Sequence, residues 1–135
     1  MSQANVEVVR AVWAAWEHRD MTAVFALYDP EIVWDQTHAE TGELTAEYRG
    51  HEGVRTFLRT WWESFESYWA YAEEFIDAGE AVVVRCRQGG RGKQSGVEVE
   101  MPPYWQVYRV KDGLVSQIVV YLNEADALNA VGLEE

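Results

Sequence analysis

The chain is predicted to be an α+β domain, with helices first and an antiparallel or mixed sheet last. Three observations lead there. Apolar positions near the N-terminus repeat at helical spacing, and an aromatic stripe of the same period lies mid-chain. The last third holds two apolar runs joined by Lys111-Asp112-Gly113. Asp-Gly between such runs is a strong hairpin signal, because both residues tolerate positive φ. A sheet covered by helices on one side often encloses a pocket.

Taken in order, Val6, Val9, Trp13 and Trp16 predict a first helix from about Asn5 to His18, its stripe widened by Val8, Val12 and Ala15. Asp20 is placed to cap a second helix carrying Met21, Val24, Phe25 and Tyr28, and Asp29-Pro30 is expected to end it. Glu31 to Gln36 then predicts a short strand. The polar stretch from Thr37 to Gly50 is expected as a loop over a pocket. A third helix opens near His51-Glu52-Gly53, with Val54, Phe57, Leu58, Trp61, Phe65 and Trp69 on one stripe and Trp62 beside it. Four strands follow: about Trp69–Ile76, Ala81–Gln88, Gly96–Tyr108 and Leu114–Leu122. Pro102-Pro103 marks a bulge, break or edge position in the third of them. Residues Glu124–Leu133 predict a short final helix.

Composition limits what such a domain does. The 135 residues suit one domain, 1–135, able to bury its own core. Seven Trp, seven Tyr and four Phe must fill that core, line a cavity or form an interface. The formal charge of −12 argues against nucleic acid as a partner and against an anionic membrane surface. Basic residues concentrate from Arg85 to Lys111, where they are expected to solubilise strand edges, with attraction of an anionic ligand or pairing with acids of a second copy as the alternatives. Lone Cys86 has no partner for an internal disulfide. The N-terminal residues show no signal peptide and no run reaches membrane length, so a cytoplasmic location is expected. The three histidines, His18, His38 and His51, lack metal-ligand spacing, so neither a metal nor an organic cofactor is expected.

Val33-Trp34-Asp35 after two helices, then Tyr48-Arg49-Gly50-His51-Glu52-Gly53-Val54 opening an aromatic helix, resembles the nuclear transport factor 2-like superfamily. Gly90 to Gly96, the Lys-Asp-Gly turn and the Tyr121-Leu122-Asn123 to Gly132-Leu133 ending are similar to its SnoaL-like, polyketide cyclase-like branch. That resemblance implies a cone-shaped, curved sheet wrapped around a long helix, two further N-terminal helices, a short C-terminal helix, a conical pocket and a homodimer through the outer sheet face. Function is less constrained, because the superfamily spans isomerases, cyclases, hydrolases and binding modules.

Asp35 is the leading catalytic candidate. In the resembling ketosteroid isomerases an aspartate similarly placed on the first strand acts as general base, and partial desolvation among aromatics suits a carboxylate to that work. The plain alternative is an aspartate that caps the next loop. His38, three residues on, is a candidate proton partner or else an exposed loop histidine. The isomerase pattern also needs a helix 1 tyrosine and a late-strand acid. Here Val12 and Trp13 occupy the first stretch and Gln106 the second, and the cyclase-like acid of the final strand is missing. Gln106 remains able to donate one hydrogen bond to an oxyanion. Arg85 or Arg109 would be needed for epoxide hydrolysis, but neither has an acid at matching parity.

The expected ligand wall comprises Trp13, Trp62, Phe65, Trp69, Gln106, Val120 and Leu122. Alternation on the final strand sends Ile118, Val120 and Leu122 inward, and Val119, Tyr121 and Asn123 to the dimer face together with Trp105 or Tyr108. The expected occupant is a small apolar or polycyclic molecule, with or without cofactor-free proton transfer by Asp35. A non-catalytic ligand-binding or protein-interaction module using the sheet face is the alternative.

Overall fold

The computed structural model describes residues 2–133. Four helices, α1 (Ser2–Glu17), α2 (Met21–Ala26), α3 (Gly50–Glu63) and α4 (Glu124–Ala130), accompany seven strands. These are β1 (Tyr28–Asp35), β2 (Glu47–Arg49), β3 (Phe65–Asp77), β4 (Ala81–Gly92), β5 (Glu98–Glu100), β6 (Tyr104–Lys111) and β7 (Leu114–Tyr121). The curved mixed sheet runs β2-β1-β7-β6-β4-β3, with β5 paired to β4. Among the described residues, only β1 and β7 pair in parallel. This is the α+β architecture predicted.

Several boundaries differ from the sequence expectation, each for a local reason. Asp20 does cap α2, its carboxylate accepting the Ala23 N–H at 3.1 Å. The helix nevertheless stops at Ala26, and Tyr28 is already in the sheet, paired with Val115. The Val115 N–H donates to the Leu27 carbonyl at 2.8 Å, so sheet pairing replaces another helical turn. Pro30 lies where the β1–β7 register shifts between Tyr28 and Val33. A strand tolerates a residue without an N–H at such an irregularity. The expected loop from 37 to 50 contains a 3₁₀ turn at Gly42–Leu44 and the edge strand β2, antiparallel to β1.

α3 buries Val54, Phe57 and Leu58, each contributing about 1.5–3 kcal/mol as apolar burial. It ends at Glu63, so Phe65 and Trp69 belong to β3 rather than to the helix. Their spacing of four satisfies a helical stripe and a strand face equally, which is why the stripe overran its helix. At the prolines the expected long strand divides into β5 and β6, both hydrogen-bonded to β4 (Glu100 opposite Gly89, Tyr104 opposite Cys86). Close approach fixes Gly89. A Cβ there would sit 2.5 Å from the Trp69 ring and 2.7 Å from the Val99 carbonyl oxygen. The β6–β7 turn is the predicted one, with Asp112 at φ 54° and Gly113 at φ 79°.

Alternation sorts the sheet into two faces. Val82, Val84, Cys86, Tyr104, Tyr108, Ile118 and Val120 join Val9, Val12, Trp13, Phe57 and Leu58 in the main core. Ala81, Val83, Trp105, Val107 and Val119 form a second cluster on the opposite face, covered by Ala127 of α4. Tyr108, offered above for the dimer face, is therefore corrected to the inner face, where it is 2% exposed. Trp105 does turn outward, with Arg85 over its ring at 5.4 Å.

Candidate functional site

α1, α3 and the inner sheet face enclose a cavity of about 90 Å³. Helix side chains Val12, Trp13, Trp16, Phe57, Leu58 and Trp61 form one wall. Val120 and Leu122 come from the end of β7, and Trp34 from β1. Polar groups reach it from four strands and the loop after β1: Tyr28 at the start of β1, Gln36 and Thr41 beyond its end, Tyr68 of β3, Gln88 of β4, and Tyr104, Gln106 and Tyr108 of β6. No lining residue carries a formal charge, although the chain carries −12.

The polar groups are wired to one another. The Trp34 indole N–H donates to the Gln36 Oε1 at 2.7 Å. The Tyr68 hydroxyl donates to the Gln88 Oε1 and the Tyr108 hydroxyl to the Gln106 Oε1, both at 2.5 Å. Burial disfavours the phenolate at every one of these tyrosines. It pushes Tyr68 up to about 12, partly offset by donation from Trp61 and Tyr104 toward its oxygen. Tyr28, Tyr104 and Tyr108 are raised by the same desolvation. The Trp13 indole N–H lies toward the Tyr108 oxygen and counters some of that effect, but falls short of hydrogen-bond geometry. These hydroxyls stay protonated near neutrality and serve as donors. Cys86, buried against Tyr104, is likewise held as a thiol by desolvation.

Of the residues singled out from the sequence, Trp13, Gln106, Val120 and Leu122 line this cavity. Trp62 and Trp69 instead line an adjoining groove of about 270 Å³, which shares Trp16 and Tyr68 with the cavity. Phe65 lines neither, and packs its ring on Trp61 and Tyr68 at 5.4 and 5.1 Å.

The placement of Asp35 and His38 beside the cavity is corrected, and strand parity is the reason. Ile32, Trp34 and Gln36 take the inward positions, so Asp35 turns outward, level with Val119 on β7. Its Oδ1 accepts the Thr37 N–H at 2.8 Å and the Thr37 hydroxyl at 2.5 Å, which is a side-chain-stabilised turn. Its Oδ2 stands 4.0 Å from the His38 Nε2, and the His38 ring stacks on Tyr121 with centroids 4.9 Å apart. The other histidines hold backbone: His51 contacts the Tyr28 carbonyl oxygen at 3.0 Å and His18 that of Ala14 at 2.8 Å. Among the described residues, no group of three or more His, Cys, Asp or Glu could hold a metal ion. No helix among them is long and apolar enough to cross a membrane.

Tyr104, Tyr108, Gln36 and Gln88 are not among the ligand-wall residues expected from the sequence. Parity points to three of them, since Tyr104 and Tyr108 share a face with Gln106, and Gln36 shares one with Trp34.

A curved mixed sheet closed by helices over an uncharged, aromatic-walled cavity defines a nuclear transport factor 2-like domain. Residues 9–118 match the model of the SnoaL-like domain, and the chain belongs to that family. No curated protein matches it. Solved structures do. An NTF2-like protein of unknown function from Burkholderia pseudomallei is 22% identical, with a TM-score of 0.75 over 96% of this chain and 98% of that one. TerC, co-crystallised with polyporic acid, is 19% identical, with a TM-score of 0.75 over 95% and 98%. A protein of ketosteroid isomerase-like fold from Catenulispora acidiphila, in complex with trimethylamine, is 19% identical, with a TM-score of 0.70 over 94% and 93%. These likenesses establish the fold.

Proposed function

We propose that this domain binds a small, uncharged, mostly apolar molecule in the inner cavity, with Trp13, Gln106, Val120 and Leu122 among its contacts. The observation that carries the reading is an aromatic-walled cavity whose lining has polar groups but no charge. TerC with polyporic acid and the Catenulispora protein with trimethylamine lend support, because the same fold holds small molecules there. Size favours a one-ring occupant: the cavity is about 90 Å³, against roughly 150 Å³ for a cavity that takes up benzene. A polycyclic occupant requires Trp16 and Tyr68 to move and open the cavity into the groove they share with it. The reading is of binding, without proton transfer by Asp35, whose carboxylate faces the other side of the sheet. It includes a homodimer through the outer sheet face, where Tyr71 is 41% exposed and stacked on Trp69.

Saturation-transfer NMR and intrinsic tryptophan fluorescence against neutral one-ring compounds test it. Saturable binding is expected, lost in Val120→Phe, which fills the cavity from β7. Binding that survives that substitution in a folded variant refutes the site.

A further inference from the structure

Which polar groups face the cavity can be decided from what each is able to donate. An indole N–H only donates, so the 2.7 Å contact with Trp34 fixes Gln36 with its carbonyl toward the indole and its NH₂ away from it. The Tyr108 hydroxyl donates to the Gln106 carbonyl at 2.5 Å, which turns that amide's NH₂ away from it. The Tyr68 hydroxyl likewise donates to the Gln88 carbonyl. In each of the three pairs a donor occupies the glutamine carbonyl, so the amide nitrogen is the end left over. None of the three Nε2 atoms has a hydrogen-bond partner among the described residues. Nor is any of them sealed away from space, as the Trp13 and Trp105 indole nitrogens are.

Resting on the binding reading above, we propose that the cavity is a hydrogen-bond donor site, built from the Gln36, Gln88 and Gln106 NH₂ groups, that selects a neutral carbonyl compound. A ketone oxygen has two lone pairs and no proton, which matches donors whose companion carbonyls are already engaged. An alcohol of the same shape brings a proton that the engaged amide carbonyls cannot take, leaving it only hydroxyl oxygens such as those of Tyr28 and Thr41. A carboxylate accepts equally well but would lose its hydration with no cation in the lining to compensate. Hydrocarbons fill the space and leave the amides unpaired, which is the stronger ground for discrimination.

The experiment compares cyclopentanone with methylenecyclopentane, which has the same shape but carries a CH₂ in place of the oxygen. Binding is followed by titration of ¹⁵N-labelled protein, reading the glutamine side-chain NH₂ resonances. Cyclopentanone is expected to bind about tenfold more tightly and to shift those resonances downfield. Gln106→Met removes the donor at a similar side-chain length, and should reduce the preference to about threefold or less. Gln106→Leu serves if that variant fails to fold. Equal affinity for the two probes, or a preference unchanged in the Gln106 variants, overturns the donor rule while leaving a ligand cavity. Binding of neither probe refutes the cavity as a binding site and the donor rule with it.

Discussion

The Tyr108–Gln106 bond offers a direct measure of how much the cavity's polar wiring stabilises the fold. Tyr108 is 2% exposed and Gln106 3%, and their contact is 2.5 Å. Tyr108→Phe removes one hydrogen bond, worth about 0.5–1.5 kcal/mol net, and leaves a buried amide carbonyl unpaired at about 1–3 kcal/mol. Gln106→Leu does the converse to the hydroxyl. Each single variant should therefore cost about 2–3 kcal/mol, or roughly 6–12 °C at about 3–4 °C per kcal/mol for a chain of this size. The double variant replaces both partners by apolar groups, leaves nothing unpaired, and should cost little more than either single one. That outcome is a coupling energy of about 2 kcal/mol. Urea unfolding followed by tryptophan fluorescence reads it, and far-ultraviolet dichroism checks that the transition is two-state. Additive losses, with coupling below about 0.5 kcal/mol, would show that the two side chains act independently and that the relay is not formed.

Alkaline pH should weaken the fold steeply. Tyr28, Tyr68, Tyr104 and Tyr108 have raised folded-state values, so their stabilising contribution is complete below the ordinary value of 10.0 and falls as pH climbs toward about 12, where Tyr68 ionises in place. Each contributes a slope of about 1.4 kcal/mol per pH unit in that window, so a urea midpoint unchanged from pH 9 to 11.5 refutes their burial. Asp35→Asn should leave ligand affinity within about twofold and cost roughly 1 kcal/mol through the Thr37 turn; a tenfold loss of affinity would return Asp35 to the cavity. The outer face should hold two copies together, seen as twice the monomer mass by light scattering at micromolar protein, and Tyr71→Glu should shift the mass toward the monomer. A monomer at every concentration tested removes the dimer.

Much of the architecture was legible because its signals are local. The Asp112-Gly113 turn, the helical stripes of α1 and α3 and the proline break before Tyr104 are each set by neighbours a few residues away. What escaped depends on partners distant in sequence. β1 starts at Tyr28 because Val115 offers an N–H to Leu27, and nothing between Met21 and Pro30 announces that strand. The helical stripe of α3 runs on to Phe65 and Trp69, although Trp69 also opens the expected strand Trp69–Ile76, because a spacing of four fits a helix and a strand alike.

The site turns on one step of register. Trp34, Asp35 and Gln36 are consecutive, and a strand can offer alternate residues only to any one face. Aromatic burial decides the parity: Trp34 packs its ring on Phe57 at 5.3 Å inside the core, and the exchange that would bring Asp35 inward would send that indole to the outer face. Removing so large an apolar surface from water outweighs anything an unpaired carboxylate would gain beside it. Gln36 then follows Trp34 inward by necessity, arriving as a neutral amide whose carbonyl the indole occupies. The same alternation on β6 delivers Tyr104, Gln106 and Tyr108 together, so the cavity acquires its donors through the residues that close the core. This chain places amides and phenols at these inward positions, and its carboxylates elsewhere.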